Sequence, residues 1–236
     1  MDSNIDDVSV WDLVENDKFD LAKIRIEDGK DINSMVGYMK NIPLISVVAK
    51  KGRVDLLKLL ISKGAEINPA ARDPLWFAAA AGQLEAVRFL LENGAKAHES
   101  LINAAASNGS IEVIAFLMNK GFDMNHQINI TVEGLTRIDT VSNTALMDVQ
   151  VDSFDDDNAK QRKIGTVKFL LENGADVNAK GRFGNSALHF SANDNNVEII
   201  TLLLEAGANK KSKNDDGETA FKYADKNDIG ARALLK

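Results

Sequence analysis

The chain has 236 residues, 44% of them hydrophobic and 27% charged, which is the balance of a chain that folds in water and not of one that stays disordered. Cysteine is absent, which excludes a disulfide framework, thiolate zinc ligation and a cysteine nucleophile together. Three prolines and sixteen glycines exclude collagen-like and low-complexity classes, and no apolar run approaches the roughly 18 residues of a membrane span. A net charge of −7 speaks against nucleic-acid binding, which draws on basic side chains meeting phosphates. The sequence opens acidic, without the basic head and apolar stretch of a secretory leader, so the expectation is a cytoplasmic monomer without membrane contact.

Charge is unevenly spread. Residues 1–33 carry a balance of −6, whereas residues 34–68 carry +4. This predicts a molecule polarised at one end.

Along the chain, one short pattern keeps returning. Lys63-Gly-Ala-Glu-Ile-Asn68, Asn93-Gly-Ala95, Asn119-Lys-Gly-Phe-Asp-Met-Asn125, Asn173-Gly-Ala-Asp-Val-Asn178 and Ala206-Gly-Ala-Asn209 each follow a leucine- and isoleucine-rich run, with a looser first copy at Asp28–Asn33. The glycines Gly29, Gly64, Gly94, Gly121, Gly174 and Gly207 are spaced 35, 30, 27, 53 and 33 residues apart. A period near 33 predicts a stack of small units. Within each unit the run before the glycine is helical on one face, as in Val54, Leu57, Leu60 and Ile61, and glycine ends it in a left-handed cap. A shorter alanine-rich helix precedes it, entered at Asp73, Ser100, Thr144, Ser186 or Thr219, residues whose side chains can cap orphan N–H groups.

These residues resemble the ankyrin repeat. Its T-P-L-H-x-A-A helix start is matched by Asp73-Pro-Leu-Trp-Phe-Ala-Ala79, Ser186-Ala-Leu-His-Phe-Ser-Ala192 and Thr219-Ala-Phe-Lys-Tyr-Ala224, and its second half by residues 52–68 and 164–178. The resemblance covers the whole chain as one domain, 1–236, in seven units near 5–33, 40–68, 72–98, 99–125, 143–178, 185–211 and 218–236. It implies an all-α ankyrin-repeat solenoid with short β-hairpin fingers, the outer units acting as caps.

Connectors depart from that pattern. The step from the closing Asn to the next helix start is eight residues between Asn178 and Ser186. It is ten between Asn33 and Pro43, five between Asn68 and Asp73, two between His98 and Ser100, and nineteen between Asn125 and Thr144. Ile128, Ile130 and Val132 alternate with polar residues, Glu133-Gly134 offers a turn, and Leu135–Val141 returns, so 127–142 reads as one extended finger. A second insertion, 152–163, carries Asp155-Asp-Asp-Asn158 followed by Lys160, Arg162 and Lys163. It lacks the glycine and closing glutamate of a calcium loop, and the favoured reading is a solvated polar loop with an acidic helix start.

Nothing in the pattern proposes catalysis. His189 sits where the family histidine supports its own helix start, and His98 and His126 end units without an acid and nucleophile at motif spacing. No catalytic, cofactor or metal residues are expected. The resemblance instead implies a protein-binding module, with a dedicated inhibitor or immunity protein, or a delivered bacterial effector, as alternatives. Solenoid fingers and first helices are free of core duties, so the candidate binding residues are Tyr38, Met39, Arg72, Trp76, Arg137, Arg182, Phe183, Asp194, Asp215 and Asp216, with Phe183 and Trp76 as anchors.

Overall fold

A computed structural model describes residues 8–29, 32–33, 35–36, 42–70, 72–127, 142–149 and 156–236. Leucine-rich runs and their alanine-rich partners form helices in pairs. These are α1 (Val10–Glu15) with α2 (Phe19–Glu27), α3 (Leu44–Lys50) with α4 (Val54–Ser62), α5 (Pro74–Ala80) with α6 (Leu84–Glu92), and α7 (Ser100–Asn108) with α8 (Ile111–Asn119). Then come α9 (Ala145–Asp148) with α10 (Asp157–Glu172), α11 (Ala187–Asn193) with α12 (Val197–Glu205), and α13 (Ala220–Tyr223) with α14 (Ile229–Leu235). Residues 1–101 and 102–236 make two compact units. No helix among the described residues is long and apolar enough to cross a membrane.

In the first unit α1, α3 and α5 stack on one another, as do α2, α4 and α6. Leu56, Leu57, Leu60, Leu75 and Leu90 are fully buried between them. Each second helix ends as its glycine requires. At Gly94, φ is +90°, the Gly94 N–H donates to Leu91 O and the Ala95 N–H donates to Leu90 O at 2.9 Å, a Schellman closure. A Cβ at Gly94 would meet nothing within 4 Å, so the cost of a side chain there is purely one of backbone conformation. Gly94→Val should therefore destabilise by about 1–2 kcal/mol, read as a lower denaturation midpoint. An unchanged midpoint contradicts the cap.

The closing asparagines turn out to be staples between repeats. Asn68 Nδ2 donates to Gly94 O at 3.0 Å while its Oδ1 accepts the Lys96 N–H at 2.8 Å. In the second unit Asn125 does the same with Gly174 O and the Asp176 N–H, and Asn178 with Gly207 O and the Asn209 N–H. Each of these three steps is thus held by two hydrogen bonds from one side chain.

Basic side chains of the second repeat reach back to the first. Lys51 Nζ lies 2.9 Å from Asp17 and donates to Glu15 O, Arg53 sits 4.0 Å over the Phe19 ring, and Lys63 Nζ donates to Glu27 O. Among these contacts Lys51 is the cation that pairs with acidic side chains of the first repeat, Asp17 and Glu15. Strand is confined, among the described residues, to a ladder of β1 (Met35–Val36) with β2 (Ile42–Pro43) in the ten-residue finger and a bridge between Lys213 and Thr219. The 128–141 segment lies outside the described residues.

In the second unit α9, α11 and α13 form one stack and α10, α12 and α14 another. The polar loop expected over 152–163 is corrected from residue 157 onward. Asp156 caps α10 by accepting the Ala159 N–H at 2.7 Å, and the helix runs unbroken through Lys160, Arg162 and Lys163. Arg162 Nε reaches Asn108 O at 2.9 Å and Lys163 is buried, so one side of the added turns packs on the α7–α8 corner while the acidic start stays exposed. Phe154 and Asp155 lie outside the described residues.

Two of the five expected cap side chains act as such, Asp73 toward the Leu75 N–H and Ser186 with His189 in a reciprocal capping box. Thr144 and Thr219 make no cap bond through their hydroxyls. The His189 ring bridges Ser186 and, through Nε2, Glu218 O at 3.1 Å. Burial holds this imidazole below the ordinary histidine pKa, with the Glu218 carbonyl opposing and Lys180 adding to the depression. The unfolded chain therefore takes up the proton first, so stability should fall as pH drops below about 6.5 and level off beneath the depressed native value. His189→Asn should remove that part of the pH dependence in denaturant titrations. An identical pH profile in the variant would show that His189 does not carry it.

Candidate functional site

Fingers of the second unit are assembled by side chains that the repeat pattern does not require. Gln127 Nε2 donates to Ser142 O at 3.1 Å and to Lys180 O at 2.8 Å. The described ends of the nineteen-residue connector are thus tied to each other and to the next finger. Asn143 Oδ1 accepts the Arg182 N–H at 3.2 Å, and a Cβ at Gly181 would collide with Asn143 and Met147. Only glycine allows that approach. Beneath it, Asp148 receives Asn103 Nδ2 at 2.8 Å and Asn143 Nδ2 at 2.9 Å. Burial raises the Asp148 carboxyl above the usual carboxylate range, while those two amides and the Arg182 charge act against the rise.

On this platform a tight turn at Arg182–Gly184 presents Phe183. Its backbone sits at φ 58°, ψ 25°, a left-handed position that costs a bulky residue energy, and its side chain remains 46% exposed. The Arg182 guanidinium stands 5.9 Å from the ring centroid. The Phe183 carbonyl accepts the Asp215 N–H at 3.0 Å, and Lys180 Nζ donates to Lys213 O at 2.7 Å, which locks this finger to the following one. That neighbour is organised by Asn214, only 6% exposed. Asn214 Nδ2 donates to Asn185 Oδ1 and to the Tyr223 hydroxyl, and Asn214 Oδ1 accepts the Asp216 and Glu218 N–H groups.

Of the candidate binding residues, Arg182, Phe183, Asp215 and Asp216 come together here. Asp194 lies apart at the end of α11. Arg72 and Trp76 belong to the first unit, where Arg72 adopts φ 57° and Trp76 is 41% exposed with its ring edge-to-face on Phe77 at 5.4 Å. Tyr38, Met39 and Arg137 lie outside the described residues. Gln127, Asn143, Asp148 and Asn214 are not candidates in the sequence, because each also has a partner tens of residues away, Lys180, Arg182, Asn103 and Asn185 respectively. The one available signal was the shared register of Gly184 and Gly217, each two residues before a helix start.

The first unit corrects the reading of His98. Its ring does meet an acid and a hydroxyl. His98 Nε2 lies 2.7 Å from Asp73 Oδ2, and His98 Nδ1 lies 2.7 Å from Ser100 Oγ. The two-residue connector, too short for a hairpin, is what folds the ring back between them. His98 occupies the place where Asn68, Asn125 and Asn178 make their staples.

A family model described as ankyrin repeats in three copies matches residues 11–100, 45–128 and 158–236. The chain is 30% identical over 240 residues to the putative palmitoyltransferase ZDHHC13 of Danio rerio, covering 94% of this chain and 33% of that protein. It is 28% identical to human palmitoyltransferase ZDHHC17, again over 94% of this chain and 34% of the relative. The chain thus spans about a third of the length of these curated relatives. Among solved structures, the human ASB11 ankyrin repeat domain superposes with a TM-score of 0.70 at 26% identity, over 97% of this chain and 96% of that one. The ankyrin repeat domain of Bcl-3 superposes at 0.57 and 17% identity, over 97% and 98%, a likeness of fold alone. The chain belongs to the ankyrin repeat family, all-α solenoids of paired helices that typically mediate protein–protein interactions and are usually non-catalytic.

Proposed function

We propose that this protein is a binding module for another protein, engaged through the finger face of residues 102–236 with Phe183 as its apolar anchor. The observation that carries the reading is Phe183 itself: a large apolar side chain, nearly half exposed, in a backbone conformation that disfavours it. The exposed ring adds little to the core, whereas a rigid aromatic beside an arginine is what dominates binding energy at protein interfaces. Both neighbours of the finger brace it, so little entropy is lost when a partner docks. Gln127 and Ser142, the described residues that flank the 128–141 segment, are tied to each other and to Lys180 beside this finger. Trp76 and Arg72 offer a separate surface on residues 1–101. The expected state is a monomer in the cytoplasm, and binding through this face needs no catalysis.

Replacing 129–140 by a short Gly-Asn turn tests the proposal. The partner's affinity should fall by more than about tenfold, roughly 1.4 kcal/mol, while the melting temperature stays within a degree or two. Affinity held within a factor of about two, with a lowered melting temperature, would make the segment structural and remove it from the site.

A further inference from the structure

The Asp73–His98–Ser100 relay does something the repeat does not need. Elsewhere the residue at this place in the repeat staples consecutive units, as Asn68, Asn125 and Asn178 do. Here an imidazole is held at both ring nitrogens within hydrogen-bond distance, by a carboxylate on one side and a hydroxyl on the other. An ionised carboxylate only accepts, so Nε2 carries the hydrogen and donates to Asp73. That leaves Nδ1 as the acceptor for the Ser100 hydroxyl. The tautomer assigned by these partners is the one a general base requires.

Orientation is secured independently. Asp73 Oδ1 is occupied as the cap of α5, accepting the Leu75 N–H at 2.9 Å, so Oδ2 is the oxygen left for the ring. The Leu101 N–H donates to His98 O at 3.2 Å, which fixes the two-residue connector between His98 and Ser100. Next to the ring is an open cavity of about 300 Å³ lined by Asn68, Pro69, Ala70, Asp73, Lys96 and His98. Lys96 stands on its wall as a cation, and the cavity adjoins the ring on the side of Asp73, Ser100 not being among its lining residues. The connectors beside this corner are only five and two residues long.

We propose that Ser100 is an activated nucleophile, with His98 as its general base and Asp73 orienting the ring, able to accept an acyl group from a small ester. In the step the Ser100 Oγ–carbonyl carbon bond forms as the hydroxyl proton passes to His98 Nδ1. Lys96 supplies positive charge for the oxyanion. The carbon–alkoxide bond then breaks, and the leaving alcohol takes the proton from Nδ1. Water reverses the sequence to release the acid, its proton passing through Nδ1 back to Ser100.

The test uses the intact chain and an alkyl fluorophosphonate, which forms an Oγ–phosphorus bond and expels fluoride. Peptide mass spectrometry should place one adduct on Ser100. The labelling rate should drop at least about a hundredfold in His98→Gln, the usual scale of lost general-base assistance, and at least tenfold in Asp73→Asn, which retains the α5 cap. Ser100→Ala should take up no label at this position. Absence of an adduct on Ser100 in the wild-type chain overturns the proposal without reference to any variant. So does an adduct whose rate is unchanged in a folded His98→Gln. Binding through Phe183 is unaffected by either result, so the two readings stand or fall separately.

Discussion

Asn214→Ala is expected to be among the most damaging single substitutions in the second unit, by about 2–3 kcal/mol. The side chain is 6% exposed and makes four hydrogen bonds. Truncation leaves the Asp216 and Glu218 N–H groups without their acceptor, and Asn185 Oδ1 and the Tyr223 hydroxyl without their donor. Each orphaned group in a buried setting costs more than a hydrogen bond nets when made. Lys211→Ala, an exposed position on the same finger, should stay within about 0.5 kcal/mol. Equilibrium denaturation in urea distinguishes them, and equal midpoints for the two variants contradict the hub assigned to Asn214. The loss should also reach the site, because the Phe183 carbonyl is held by the Asp215 N–H beside that hub.

Phe183→Ala is expected to weaken partner binding by about 2 kcal/mol, roughly 30-fold, and to leave the fold intact or slightly stabilised. The ring contributes little to the core at 46% exposure, and alanine sits in the same φ 58° position with less crowding. The effect should be in the dissociation rate, as for most interface truncations. Calorimetry and a melting curve on the same preparation separate the two: lost affinity with an unchanged melt identifies an anchor. A lowered melt with full affinity would mean that the ring packs for stability.

Helices, their pairing and the glycine caps were legible in the sequence because they depend on local periodicity and on one residue type at one φ. Gly94 and Leu90 announce themselves within five residues of each other. The family and the candidate anchors Phe183 and Trp76 followed from the same register. What stayed hidden was set by distant partners. Gln127 meets Lys180 and Asn103 meets Asp148 across repeat boundaries, and His98 meets Asp73 across the full length of one repeat. The 157–163 stretch reads as a polar loop because its acids and bases carry no apolar period, yet Asp156 caps it and Asn108 receives it, and those contacts make it helix. Sequence likewise does not reveal that Lys51 and Lys63 reach back to the first repeat, Lys51 to Asp17 and Lys63 to the Glu27 carbonyl.

Site-specific photo-crosslinking from position 183 tests the central claim most directly. A benzoylphenylalanine at 183 is compared with one at position 24, where Ile24 is 54% exposed on the first unit. Irradiation in the cells that make the protein should give a discrete adduct from 183 to one partner protein and none of comparable yield from 24. Adducts equal from both positions, or none from 183, would contradict the assignment of the finger face as the binding surface.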